Sequence, residues 1–273
     1  MALTRVATNV DAQWAYAEMM KVNQKVSNVQ LRLATGKSIT ATEDDPAGYQ
    51  LARSLERRER GLGVALQNVS NAKSILSVAE GGYENVMGIL QKIKEKATQA
   101  ADASLNSTQR EAINDQVTAL INEIGDIVDE TTFNGDQLID GGYSGNFQVG
   151  EEASNTLAVA LESASAASLG ISSIDVSTAS GANSAITTVS NAIDTLASSM
   201  QTVGEYKARL SVKENTISTA INNTQAVRSN IEDADLVKEQ MDLLKYQILQ
   251  QTSASAFAQA NAAPQLVLQI MNS

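Results

Sequence analysis

Few residue groupings in this chain have the types and spacing that chemistry needs. Asp44-Asp45 is an adjacent carboxylate pair, a starting point for general acid–base work, but no second catalytic group stands near it in sequence. Ahead of Pro46 the pair reads better as a helix start, with Asp45 as N-cap and Pro46 as the first helical residue. Gly36-Lys37-Ser38 has the form of the end of a phosphate-binding loop, yet Leu31 stands where that loop needs its first glycine, so the triplet reads as a helix stop. Arg53, Arg57, Arg58 and Arg60 are interleaved with Glu56 and Glu59, the pattern of a solvated helix face rather than a nucleic-acid site. Asn134 to Asp140 offers scattered oxygens without the spacing of a calcium loop or its terminal Glu.

The chain has no His and no Cys. That removes most metal sites, Cys nucleophiles and His general bases. No Glu-x-x-His pair of the di-metal bundle kind is present. The reading is therefore not an enzyme, and no catalytic, cofactor-binding or metal-binding residue is expected. The formal net charge of −11 opposes phosphate backbones, so no nucleic acid is expected as a partner. No run of about eighteen apolar residues exists, so no membrane insertion is expected. The first residues lack a basic segment followed by a continuous apolar run, so no cleavable signal peptide is expected.

The elements that would position any site are helices. Ala12, Ala15, Met19, Val22, Val26, Val29 and Leu33 recur at steps of three and four, predicting a helix over 9–33 that ends at Gly36. A second stripe at Met241, Leu244 and Ile248 has the same spacing. Such stripes mark helices that need partner helices, either each other or copies of the same chain. Between them the longest seam runs Ala65, Val69, Ala72, Leu76, Ala79, Tyr83, Val86, Leu90, Ile93, Ala97, Ala100. Gly81, Gly82 and Gly88 interrupt it at about 1 kcal/mol each in propensity. Asn106 with Gln109 resembles a capping box, and Ile113 to Ile127 carries a third helix to about residue 130.

After Thr131 the pattern changes. Asn134-Gly135 and Asp140-Gly141-Gly142 are turn signals, and Phe147 to Val149 and Thr156 to Leu161 read as short strands. The segment Ser163 to Ser184 is rich in Ser, Ala and Gly and shows no period. Helical order is predicted to resume at Ile186, with Lys207 and Glu214 interrupting the seam, and a hinge is predicted over Ser229 to Asp235. Pro264 is predicted to kink or restart the last helix. The fold class is mainly α: an elongated antiparallel helical bundle or coiled coil, its termini paired, with a small β-hairpin excursion.

Several segments carry a family likeness. They are Leu31-Arg32-Leu33-Ala34-Thr35-Gly36-Lys37, Asp44-Asp45-Pro46-Ala47-Gly48, Thr131-Thr132-Phe133-Asn134-Gly135 and Phe147-Gln148-Val149-Gly150. Near the end come Ser229-Asn230-Ile231-Glu232-Asp233-Ala234-Asp235, Ile248-Leu249-Gln250-Gln251 and Ala258-Gln259-Ala260-Asn261. In their order and placement the chain resembles the bacterial flagellins over nearly its whole length. The resemblance implies an inner coiled-coil domain lining a filament core (1–40 with 235–273) and a middle helical bundle (41–234) with a β-rich excursion at about 131–180. Large outer domains look absent.

The resemblance implies a structural subunit that polymerises into the flagellar filament for swimming, located outside the cell. The alternative is a hook–filament junction protein or another secreted coiled-coil assembly protein. Implied partners are further copies of the chain, the flagellar type III export apparatus, a C-terminal export chaperone, and the hook–filament junction and cap proteins. The expected subunit-packing positions are Val22, Val26, Val29, Leu33, Met241, Leu244 and Ile248. Asp44, Asp45 and Pro46 are expected to set the bend between inner and middle domains. In some flagellins toll-like receptor five grips a helix through Leu-Gln-Arg-Ile-Arg-Glu-Leu. Here that segment is Leu90-Gln91-Lys92-Ile93-Lys94-Glu95-Lys96. Lys92 and Lys94 replace its arginines, Lys96 its last leucine, and Gln116 stands where an acidic residue is usual. Weak receptor recognition is the expectation.

Overall fold

The structure, a computed structural model, describes the backbone of residues 8–271 and the side chains of residues 8–262. It forms two compact units. One takes in the chain up to Arg57 together with that from Asn223 onward, and the other is Arg58–Asn222. The elements in order are α1 (Val10–Thr35), α2 (Pro46–Ala100), α3 (Ser107–Glu130), β1 (Thr132–Phe133), β2 (Asp136–Gln137), β3 (Ser144–Gln148), β4 (Thr156–Ala160), α4 (Ala179–Glu232) and α5 (Leu236–Met271).

In the first unit, α1 pairs with α5. Local chemistry sets its ends. The Asn9 side chain accepts the Ala12 amide at the start, and Gly36 at φ 70° closes the helix with its N–H on the Arg32 carbonyl. The pairing is antiparallel. Asn9 meets Ala260, Tyr16 meets Phe257, Asn23 meets Gln250 and Arg32 meets Glu239, so the α5 number falls as the α1 number rises. Helix α5 continues through Pro264 to Met271 rather than breaking there. Asp235 caps its start, taking the Val237 and Lys238 amides on Oδ1.

The second unit is a helical bundle around one long core. All eleven seam positions expected from Ala65 to Ala100 are buried in it. They face Ile113, Val117, Ile124 and Val128 of α3 and Ala185, Val189, Ala192, Leu196, Val203, Leu210 and Ile217 of α4 within the same cluster. Lys207 and Glu214 do not interrupt the seam. Lys73 pairs with Glu214 at 2.7 Å, and one heptad on, Glu80 pairs with Lys207 at 2.5 Å. These two pairs fix α2 and α4 as antiparallel neighbours. Arg110 of α3 reaches back to the Ala100 and Asp102 carbonyls, satisfying the end of α2, and the Asn106–Gln109 capping box is formed.

Two hairpins follow α3. Asn134 (φ 54°) and Gly135 (φ 95°) turn β1 into β2 with the two left-handed residues that a tight hairpin needs. Strand β3 pairs antiparallel with β4 from Ser144↔Ala160 to Gln148↔Thr156. Leu157 and Val159 point into the core from β4. The aperiodic stretch that follows is tied down by Leu161, Ala164, Leu169, Ile171 and Val176, all buried. The Val176 amide donates to Asn114 of α3. Helix α4 then starts at Ala179, earlier than the sequence pattern suggested, because the Ser-rich turn before it already caps the helix: Thr178 Oγ1 accepts the Gly181 amide.

Candidate functional site

The terminal helix pair leaves one apolar face of α5 uncovered. Helix α5 has two faces with heptad spacing. The face covered by α1 holds Glu239, Leu243, Tyr246, Gln250, Ser253 and Phe257, all buried or half-buried. The opposite face holds Val237, Met241, Leu244 and Ile248, exposed by 67, 61, 61 and 64%. The seven expected packing positions therefore divide. Val26 and Val29 of α1 are buried within the chain, and Val22 and Leu33 are half-buried. Met241, Leu244 and Ile248 face outward as a continuous apolar ridge. Beside the helix seam lies a shallow apolar groove, bordered by Trp14, Ala15 and Val22 of α1 and Leu249 and Ala256 of α5. Trp14 is 71% exposed at its rim. The inner face of α5 was not singled out from sequence, because Glu239, Gln250 and Ser253 break its hydrophobic pattern. Its regular spacing is the signal that would have found it.

The connector between α1 and α2 is held by charge. Asp44 Oδ2 accepts the Thr40 amide and hydroxyl at 2.9 Å each and the Ala41 amide at 3.0 Å. Those backbone amides first, then the hydroxyl, and last the Arg32 guanidinium, hold its carboxyl below the usual carboxylate range. Asp45 accepts the Ala47 amide at 3.1 Å, and α2 begins at Pro46, so this acidic pair is a turn and a cap. Lys37 forms an antiparallel bridge with Asp233. The Ser38 amide donates to the Glu232 carbonyl at 2.7 Å, and the Ala234 amide to the Gly36 carbonyl at 2.9 Å. Glu232, only 3% exposed, receives Lys37 and Arg53 on one oxygen, each at 2.7 Å, and Arg53 also holds Glu56. A buried carboxylate needs such compensation. Neither Glu232 nor Arg53 as its partner was expected from sequence, where the arginine run read as a solvated face.

On the second unit, Lys92 and Lys96 of α2 and Gln116 of α3 border one groove, together with Ile89, Glu95 and Leu120. Lys94 is half-buried and does not line it. Among the described residues there is no cluster of three or more acidic side chains placed to hold a metal ion, and no helix long and apolar enough to cross a membrane.

Comparison with known proteins agrees with this architecture. Residues 6–144 match the model of the bacterial flagellin N-terminal helical region, and residues 184–271 that of the C-terminal helical region. A flagellin of Listeria monocytogenes is 28% identical over 98% of this chain and 100% of its own length. One from Halalkalibacterium halodurans is 30% identical over 96% of this chain and 98% of its own. A solved structure described as a flagellar hook-associated protein of Vibrio parahaemolyticus shares the fold, with a TM-score of 0.60 at 12% identity over 70% of this chain and 100% of that one. With both helical regions matched in order, the chain belongs to the bacterial flagellin family.

Proposed function

We propose that this chain polymerises into the bacterial flagellar filament outside the cell through its terminal helix pair, using the outward ridge of α5 as a subunit contact. The ridge is the observation that carries this reading. Four large apolar side chains at heptad spacing stand exposed on a helix whose other face is already covered. Such a face needs a second helix, and a contact between unlike patches of identical chains builds an open helical filament where its rotation does not close a ring. Val22, Val26, Val29 and Leu33 contribute indirectly, by seating α5 on α1. Asp44, Asp45 and Pro46 set the bend where α1 gives way to α2.

Family membership supports a reading of the finer partners as well. The chain passes the flagellar type III export apparatus without a cleaved signal peptide, a chaperone holds the segment from about Asp235 onward beforehand, and junction and cap proteins flank the filament. The Lys92–Lys96–Gln116 groove offers toll-like receptor five a poor surface, since lysines replace a planar arginine fork and an apolar anchor.

The ridge is tested by replacing Met241, Leu244 and Ile248 together with Ser. Burying one such side chain is worth roughly 2 kcal/mol, so losing three weakens subunit addition by about 10⁴-fold before ordering costs are counted. The variant should keep its monomer helicity and leave no sedimentable filament after seeding. Filaments of native length in electron micrographs would refute the assignment. Short caps or plugs from the native chain in place of long filaments would favour the hook–filament junction alternative.

A further inference from the structure

Helix α1 lies on the less apolar side of α5. The open side offers Val237, Met241, Leu244 and Ile248 before Ser255, whereas the covered side alternates Leu243, Tyr246 and Phe257 with Glu239, Gln250 and Ser253. Between Val237 and Gln250, apolar burial alone would favour the open side. What distinguishes the covered side is its polar matches. Gln250 Nε2 donates to Asn23 Oδ1 at 2.7 Å, Arg32 Nη1 to Glu239 Oε1 at 3.5 Å, and Asn9 Nδ2 to the Ala260 carbonyl at 2.7 Å. The other oxygen of Glu239 is buried with no hydrogen-bond partner among the described residues, so this carboxylate depends heavily on Arg32.

We propose that Asn23 and Arg32 are specificity residues: they select the face of α5 that α1 covers, and so reserve the more apolar face for a second copy of the chain. The second half rests on the ridge being a subunit contact, as argued above. The first half stands on its own geometry. On the open face Asn23 and Arg32 would meet Leu, Ile and Met with nothing to bond, and Glu239 and Gln250 would be left without them. The pairs also recur at one antiparallel register only, so a slipped α1 loses all of them together. Polar residues in a helix seam set orientation and register in this way at some expense of stability. Discrimination arises from what the wrong pairing leaves unsatisfied.

The test changes α1 alone, in the full-length chain, and reads the face directly. The chain has no cysteine of its own, so reporters are unambiguous. Met19→Cys is combined with Ser253→Cys on the covered face or with Ser255→Cys on the open face, and a trace of each double variant is copolymerised by seeding with an excess of the native chain and treated with a short thiol crosslinker, so that every link lies within one chain. The native sequence should link to position 253 in strong preference to 255. Replacing Asn23 and Arg32 together by Leu should lower that preference by about tenfold or more, with linkage to position 255 rising. The conservative pair Asn23→Gln and Arg32→Lys should restore much of the preference. An unchanged ratio in the Leu variant overturns the proposal, because apolar packing would then choose the face. Loss of both linkages also overturns it, since the polar pairs would then hold α1 without choosing its side. A native chain that forms no polymer on seeding would instead refute the filament contact and with it the second half of the proposal, whereas an unchanged ratio inside the polymer refutes face selection alone.

Discussion

Gly82 occupies a position where a side chain has no room. A methyl group there would lie 2.8 Å from the Thr131 side chain and 3.0 Å from Ile139 Cδ1. The Thr131 hydroxyl is itself tied to the Ile127 carbonyl, so it cannot turn away freely. From sequence this glycine showed only a propensity penalty; the close approach of the segment after α3 is a tertiary fact. Gly82→Ala should therefore destabilise the chain by about 1–3 kcal/mol despite gaining helix propensity, read as a lower urea midpoint. A midpoint at or above the native value would contradict the packing. Asp44 was legible as part of a helix start, but its bonds to Thr40 and Ala41 were not. Its lowered pKa means its contribution is complete above the ordinary carboxylate value and is lost as pH falls through the folded value. An NMR titration should place the Asp44 carboxyl midpoint below that of an unstructured aspartate. Asp44→Asn should flatten the acid limb of the stability curve, and an unchanged limb would remove Asp44 from the account.

At the scale of elements, the long seam of α2 was fully readable because steps of three and four leave no other fold for it. The start of α4 was missed because its first turns are Ser, Ala and Gly, whose burial is decided by neighbours and not by period. Leu161, Leu169 and Ile171 are the same case: buried, yet at spacings that fit neither helix nor strand. Helix α5 was half-read. Its apolar ridge was seen, whereas the face that actually receives α1 is broken by polar residues. Val26, 7% exposed against α5, tests that pairing. A carboxylate placed there has no cation planned for it, and burying it costs several kcal/mol. Val26→Asp should leave Arg58–Asn222 folded and block polymerisation, read as loss of sedimentable filament after seeding. Filaments that still form normally would remove Val26 from the packing positions.

For the whole molecule, family segments such as Asp44-Asp45-Pro46 and Ile231-Glu232-Asp233 were legible in sequence because they fall at helix breaks: α2 begins at Pro46 and α4 ends at Glu232. The charge centre on Glu232 stayed hidden, since Lys37, Arg53 and Glu232 are far apart in sequence and meet only in the fold. The groove of Lys92, Lys96 and Gln116 likewise unites α2 with α3. In a reporter-cell dose series the native protein should need a much higher concentration than a strong agonist flagellin, and Lys96→Leu should lower that requirement. Equal potency would refute the poor-surface reading. The lone tryptophan has one more consequence. Because Trp14 stands in water at the lip of a greasy groove, the chain's indole emission arises from a single spot on the terminal pair. Its colour is a built-in optical gauge of whether that lip is wet or dry, and stacking of the molecules can be followed in the tube without attaching any dye.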